Sequence, residues 1–508
     1  MPSLLGIDSG LTVTKAVLFD VDGRQLAVSR RRVPQSIPQP HHVEREMDLF
    51  WVATADAIRE AIALSGRPAS DIQAVGTTAH GDGVYLLDHN QKTLGAGILS
   101  LDSRAGALAE AWSNGPLADT ILNLTGQLPH ASAPSALLAW IKQYQPERFA
   151  QIGHVLSCKD WMRFCLTGEI GTDCTEASAS FCDVRTQIYS RDALELFNLT
   201  ALWPRLPPIS RSDAVVAGVS RDTANRTGLT AGTPVVAGLH DVTASALGMG
   251  GYGKNIVAVI AGTYSINETI SSHPHVSRKW FCRNGITEGE WNNMAISPAS
   301  TTNYDWFVDQ LCTADARTAK EAGQSIHDVL GGDVDLALQR DSTVFFHPYL
   351  FGSPFGPSAS AGFFGLNGWH DRGDMVRAVL EGIAFNHRIH VDDLAQGFCV
   401  DQIRLTGGIS RNCAVAQLFC DILNLPLTVT TTEEAAAWGA ALCAGAGVGV
   451  FETPRHDPRN LAAHEITLSP SPARVDVYQK RFEIFKDLAA AMQPVWARVA
   501  SLHKTSEN

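Results

Sequence analysis

Apolar and polar positions alternate along most of the chain in a pattern that predicts strands and helices in turn. Leu4–Asp8 is a short apolar run, Ser9-Gly10 interrupts it, and Thr12–Asp20 resumes as a second strand. Asp22-Gly23 signals a turn, because glycine takes positive φ without steric cost, and Gln25–Val33 reads as a third strand. Across Leu49–Leu64 apolar residues recur three and four apart, the spacing of a helix with one buried face. Ile72–Thr77 returns to a strand, followed by the glycine-rich loop Thr78–Gly83 and a strand at Val84–Leu87. Pro234–Leu239 is apolar throughout and predicts a fully buried strand. Asp241 stands where the next helix, expected over Val242–Leu247, begins. This alternation defines an α/β fold class.

Gly248-Met249-Gly250-Gly251-Tyr252-Gly253 then breaks the pattern, with four glycines in six residues, and is read as a boundary or hinge. The opening motif returns directly after it. Ile256–Ile260 is an apolar run, Ala261-Gly262-Thr263 a small-residue turn, and Ser265–Ile270 a second run. The parallel with the N-terminus points to two domains on one plan. A long amphipathic helix is expected from about Ala473 to Leu502.

Composition narrows the partners. The 508 residues are 45% hydrophobic and 18% charged, which excludes disorder for the bulk of the chain. With 40 Lys+Arg against 52 Asp+Glu the net charge is −12, which argues against a nucleic-acid partner. It leaves ATP open, since a few phosphates are held by backbone amides and a metal ion. The start, MPSLLGIDSG, lacks the basic and long apolar stretches of a secretory signal. Ala435–Phe451 is uncharged but mostly Ala and Gly, so a closely packed helix is expected and no membrane partner. Ten cysteines without a CxxC pair read as reduced thiols of a cytoplasmic protein.

Four segments carry candidate chemistry. In Asp8-x-Gly10-x-Thr12-x-x-Lys15, glycine lets backbone amides approach phosphate, Thr12 adds a hydroxyl, and the carboxylate could hold Mg²⁺ through its water shell. Gly262-Thr263 occupies the corresponding turn in the second half. Leu405-Thr406-Gly407-Gly408-Ile409-Ser410-x-Asn412 joins an apolar run to a helix, where Gly-Gly admits a flat ring or ribose and the helix start favours anions. Ser410 or Asn412 would equally serve as helix N-cap. Asp241 is open between cap and general base on position alone. His273 and His275 are read as a solvated loop rather than a metal pair.

Together these motifs resemble the FGGY carbohydrate kinases of the sugar kinase, actin and heat-shock-chaperone ATPase superfamily. The resemblance spans about residues 4–450. It rests on Asp8-Ser-Gly-Leu-Thr12, Glu46-Met-Asp48-Leu-Phe-Trp51, Leu101-Asp102-Ser103-Arg104, Leu166-Thr167-Gly168-Glu169 with Thr172-Asp173, and Gly238-Leu-His-Asp241. Gly262-Thr263, Phe363-Phe-Gly-Leu366, Glu381-Gly382, Leu405-Thr-Gly-Gly408 with Asn412, and the Ala/Gly-rich Ala435–Gly447 complete it. The resemblance implies two ribonuclease H-like, actin-like ATPase domains flanking a catalytic cleft. These would be a sugar-binding domain over 1–248, a nucleotide-binding domain over 254–450, and a helical extension over 451–508. It implies ATP and Mg²⁺ as cofactors, a small sugar or polyol as substrate, and room for a homodimer. Asp241 would be the catalytic base and, with Asp8, a metal residue. Gly10, Thr12, Lys15, Gly262 and Thr263 would serve the phosphates, and Gly407, Gly408 and Asn412 the adenosine.

The loop Ala79-His80-Gly81-Asp82-Gly83 bears on the substrate. It departs from the Gln-Met-His-Gly pattern of xylulokinases and lacks the Arg-Glu pair of glycerol kinases. Its Gly-x-Gly spacing resembles the branch acting on L-xylulose-type ketoses or on erythritol. His80, Gly81 and Asp82 are therefore expected, with Asp241, to bind the sugar, since a charged acceptor discriminates hydroxyl positions strongly. The expected activity is transfer of the γ-phosphoryl group of ATP to a primary hydroxyl of a xylulose-type pentulose. The alternatives are an erythritol or other alditol kinase and, in a different class, a non-kinase actin-like ATPase or nucleotide-dependent binding module.

Overall fold

The structure, a computed structural model, describes residues 1–504 apart from Pro357 and His464; the end of the expected C-terminal extension, 505–508, lies outside the described residues. Two compact units form from discontinuous stretches of chain. One comprises Met1–Gly253, Ile270–Asn293 and Thr432–Leu461, the other Lys254–Thr269, Met294–Thr431 and the chain from Ala462 onward.

The first unit is built on a six-stranded sheet. Its strands are β1 (Ser3–Ser9), β2 (Val13–Asp20), β3 (Gln25–Arg32), β4 (Ile72–Ala79), β5 (Val215–Gly218) and β6 (Pro234–Val236), in the order β5-β6-β4-β1-β2-β3. β1 runs antiparallel to β2 and parallel to β4. Successive side chains of a strand point to opposite faces. From β1, Leu5 and Ile7 join Val75, Phe50, Ile58 and Trp161 in a core closed by the helix Met47–Ser65. That helix stops at Gly66, whose φ of 64° is the left-handed geometry glycine adopts freely.

The opposite face carries Gly6 and Gly76, and there the helix Ala435–Gly447 packs directly on the strands. A Cβ on Gly6 would lie 2.0 Å from the Ala437 carbonyl oxygen, and one on Gly76 would lie 2.0 Å from that of Ala440. The helix Asp241–Gly248 is equally close: a Cβ on Gly248 would meet the Ala435 oxygen at 1.9 Å, and one on Gly439 the Ala244 oxygen at 2.0 Å. Glycine at these four contacts is thus a matter of space, since a Cβ at any of them would run into backbone. This packing is also why 432–461 groups with the N-terminal sheet, unlike the linear division at 254–450.

The second unit repeats the plan. β7 (Ile256–Ala261) is antiparallel to β8 (Ser265–Ser271) and parallel to β9 (Gln402–Thr406), which continues through β10 (Leu427–Val429) to β11 (Ile466–Leu468). A central strand flanked by an antiparallel successor and a later parallel strand therefore occurs in both units. The helix Arg372–Ala395 opens on a capping box between Asp371 and Asp374 and buries Ile383 and Phe385. The last helix, Pro472–Lys504, sets Phe482 5.7 Å from Phe385 and buries Phe485 and Trp496.

One strand is shorter than its apolar run. The expected strand Pro234–Leu239 ends at Val236, because Gly238 takes φ +77° and the next N–H groups leave the ladder. Ala237, Gly238 and Leu239 donate instead to the carbonyls of Ala214, Ser212 and Thr77. The ten cysteines are free thiols, and His273 and His275 are exposed. Among the described residues no helix is long and apolar enough to cross a membrane.

Candidate active site

Asp241 sits where the shortened strand feeds its helix, and the connecting backbone is fixed group by group. Lys159 Nζ donates to the Ala237 carbonyl at 3.0 Å, and Thr78 Oγ1 donates to that of Leu239 at 2.7 Å. The His240 N–H donates to Thr175 Oγ1 at 2.9 Å. Thr175 in turn donates through its hydroxyl to Asp173 Oδ2 at 2.7 Å, and Ser212 Oγ donates to the same oxygen at 2.7 Å. Lys159 is buried between Asp160 at 2.5 Å and Asp173 at 3.1 Å. Burial alone would favour its neutral amine, but the two carboxylates outweigh burial and hold its pKa above the ordinary lysine value. The Leu166–Asp173 segment singled out in the sequence therefore acts on the loop that delivers Asp241.

The helix cap is His240, not Asp241, and it makes no side-chain cap bond. Asp241 Oδ1 accepts from the N–H of Val242, the next residue, at 2.8 Å. About a third of the Asp241 side chain is exposed. Its pKa is pushed up to about 7, first by burial and then by the like charge of Asp8, against the pull of the Val242 and Gly81 N–H groups. A carboxyl of that pKa is poised to accept a proton near neutral pH.

Asp8, at the end of β1, is raised from the usual carboxylate range by burial, which Lys15 partly offsets. Lys15 Nζ lies 2.9 Å from Glu434 Oε2 and 3.6 Å from Asp8 Oδ2, and Arg30 closes on Glu434 from the other side. The expected phosphate ligand Lys15 is thus committed to two carboxylates. Glu434, 419 residues further on, carries no motif that would have revealed it. Among the described residues no three His, Cys, Asp or Glu side chains cluster as a cation cage. Asp8 and Asp241, the first of which raises the second by its like charge, still fit Mg²⁺, which typically keeps several waters and takes one or two carboxylates. Of the other candidates on this loop, Gly10 donates its N–H to the Val13 carbonyl at 2.9 Å, and Thr12 is exposed.

The sugar-loop candidates gather beside Asp241 in the same unit. His80 is buried, its Nε2 3.3 Å from the Tyr85 hydroxyl, and burial followed by the Arg45 charge pushes its pKa down to about 3. Gly81 leaves no room for a side chain, since a Cβ there would lie 1.9 Å from His240 Nε2. Asp82 takes φ +56° and turns its carboxylate onto Arg283 and His130, at 3.0 and 3.2 Å. Burial opposes its charged form, but Arg283, His130 and His240 together outweigh burial and keep the carboxyl well below the usual range. Arg283 Nε donates to Gln127 Oε1 at 2.9 Å, and Gln127 is oriented by the carbonyls of Ser178 and Ala179, both at 2.8 Å. Arg283, His130 and Gln127 belong to no motif read from the sequence; Arg283 lies in the strand Phe281–Asn284, whose Phe-Cys-Arg-Asn sequence gives no sign of the pairing.

The remaining candidates belong to the second unit. Gly262 accepts at its carbonyl from the N–H of Thr301 at 3.1 Å and from Thr301 Oγ1 at 2.7 Å, while Thr263 is exposed. Gly407 has φ +122°, and a Cβ there would meet the Ala261 carbonyl oxygen at 2.1 Å, so β9 leaves the sheet tightly against β7. Asn412 caps the helix Cys413–Leu423, its Oδ1 accepting from the N–H groups of Ala414 and Val415 at 2.8 and 3.1 Å. Gly408 and Asn412 line a cavity of about 1060 Å³ with Thr301, Tyr304, Asp305, His327, Asp328, Asp335 and Leu380. The Tyr304 and His327 rings stand 5.7 Å apart on its wall.

Residues 3–248 match the N-terminal domain and 257–448 the C-terminal domain of the FGGY family of carbohydrate kinases. The chain belongs to that family and is a sugar kinase, which sets aside the non-kinase ATPase alternative. An L-xylulose/3-keto-L-gulonate kinase of Escherichia coli (strain K12) is 32% identical over 506 residues, covering 97% of this chain and 98% of that protein. An erythritol kinase of Brucella abortus is 29% identical over 98% of both chains. A ligand-bound xylulose kinase from Lactobacillus acidophilus, 22% identical, shares the fold with a TM-score of 0.87 over 98% of this chain and all of that one.

Proposed function

We propose that this sugar kinase transfers the γ-phosphoryl group of ATP to a primary hydroxyl of a xylulose-type pentulose, with Asp241 as the base. The observation that carries this reading is the placement of Asp241, with its pKa near 7, beside the loop His80-Gly81-Asp82. The likeness to the L-xylulose/3-keto-L-gulonate kinase over nearly the whole chain supports the ketose.

In this reading the acceptor hydroxyl is oriented by His80 and Asp82 and loses its proton to Asp241 as the phosphoryl group transfers. Phosphoryl transfer depends on positioning and charge compensation more than on covalent help from the protein. Bound Mg²⁺ supplies part of that compensation, and Asp8 and Asp241 are the residues to hold it. Thr12 and Thr263 offer hydroxyls to the phosphates, and the side-chain-free turns at Gly10 and Gly262 leave them room. Lys15 acts on Asp8, while Gly407, Gly408 and Asn412 shape the adenosine site.

An alditol acceptor is the second reading, favoured by the 29% identity to the erythritol kinase. ADP release measured against pentuloses, tetruloses and polyols separates the two. The proposal expects an L-xylulose-type pentulose to give the highest kcat/KM, whereas highest turnover on erythritol would favour the second reading.

A further inference from the structure

Asp82 and Arg283 form a buried ion pair whose two ends are presented unequally. Arg283 is 3% exposed at its side chain and Asp82 17% exposed, so the carboxylate is the more accessible end of the pair and the guanidinium is shielded, while His130 Nε2 stands 3.2 Å from the second carboxylate oxygen. The guanidinium is also engaged at each nitrogen: Nη2 donates to Asp82, Nε to Gln127, and Nη1 stands 3.3 Å from His240 Nε2. A buried ion pair is seldom retained for stability, because apolar residues of equal volume serve as well. Here the carboxylate is moreover aimed by a left-handed backbone, and its pair abuts His240, the neighbour of Asp241.

We propose that the Asp82–Arg283 pair is the charge selector of the acceptor site. It offers a carboxylate to neutral hydroxyls and withholds the guanidinium from anions, so that neutral ketoses are phosphorylated and ketoses bearing a carboxylate are rejected. This rests on the assignment of the His80–Asp82 loop to acceptor binding. A like charge beside the acceptor costs affinity, whereas a free Arg would grip a carboxylate through two parallel bonds.

The test compares kcat/KM for a neutral pentulose and a 3-ketoaldonate in the wild-type protein, Asp82→Asn and Arg283→Met. Asn tolerates the left-handed backbone at position 82, so the first substitution removes charge while keeping shape. The wild type is expected to favour the neutral sugar by about a hundredfold. Asp82→Asn should lower kcat/KM for the pentulose and raise the acid-to-neutral ratio at least about tenfold, because Arg283 is released. Arg283→Met, which leaves the carboxylate alone, should not raise that ratio. A wild type that accepts both sugars equally would overturn the proposal, and needs no variant to fold. So would Asp82→Asn losing pentulose activity with an unchanged ratio, though Asp82 would then still bind the acceptor. Unchanged KM for both sugars in Asp82→Asn would instead remove the loop from the acceptor site.

Discussion

The hydroxyl of Thr175 accepts the His240 N–H at 2.9 Å, joining residues 65 positions apart in sequence and one position short of Asp241. Asp173, Lys159 and Thr78 fix the same loop from other sides. Asp241 is therefore set by a buried polar network rather than by its own helix. Thr175→Val keeps the shape but leaves the His240 N–H unpaired, at a cost of about 1–3 kcal/mol. We expect kcat to fall roughly ten- to a hundredfold with the KM for ATP little changed, since a misplacement of about 1 Å in an active site can cost that much. Thr175→Ser should recover most of the loss. Steady-state kinetics and thermal melts of both variants provide the check, and a Thr175→Val enzyme of normal kcat would show that the network is dispensable.

Gly76→Ala tests the packing of Ala435–Gly447. The added Cβ would lie 2.0 Å from the Ala440 carbonyl oxygen, which is backbone and cannot swing aside. Overpacking of this kind costs about 1–3 kcal/mol or more, so a clear fall in Tm is expected. An unchanged Tm would mean that helix and sheet separate easily.

The acid limb of activity should follow Asp241. Its folded pKa is raised to about 7, so the carboxyl keeps its proton to higher pH than an ordinary aspartate. The base form, and with it kcat/KM for the sugar, should be lost as pH falls through about 7 and reach a plateau above it. Higher free Mg²⁺ should move the limb to lower pH, because a cation favours the carboxylate. A profile flat from pH 5 to 8 at all Mg²⁺ concentrations would contradict the role given to Asp241.

Asn412 separates a cap from a ligand contact. Asn412→Ala should cost about 1 kcal/mol of stability, whereas Asn412→Ser should preserve most of it, because Ser caps comparably. If both variants raise the KM for ATP equally, Asn412 serves the nucleotide directly. If only the alanine variant does, it acts through the helix start, and thermal melts beside ATP titrations distinguish the cases.

The features legible in the sequence were those with local causes. The apolar run Leu4–Asp8, the helical period of Leu49–Leu64, and the small-residue turns at Gly10, Gly262 and Gly407 each follow from neighbours in the chain. The place of Asp241 at a strand-to-helix junction was legible because the apolar run before it and the helical run after it are both local. What escaped was set by distant packing. Gly6 and Gly76 sit in apolar runs, and only the helix more than 350 residues away explains why they are glycine. Arg283 reaches Asp82 from 201 residues further along, and Glu434 reaches Lys15 from 419, so neither spacing nor periodicity could announce them. The strand from Pro234 was over-read because hydrophobicity continues through Leu239 while the ladder stops where Gly238 turns.

Sugar-dependent ADP release by Asp241→Asn, measured beside ATP binding, is the most direct test of whether this residue is the base. The variant should bind ATP much as the wild type does while its pentulose-dependent kcat falls by orders of magnitude, about 10²–10⁴-fold for a lost general base. Pentulose-dependent turnover near the wild-type rate would contradict the assignment and leave Asp241 only a structural part of its helix.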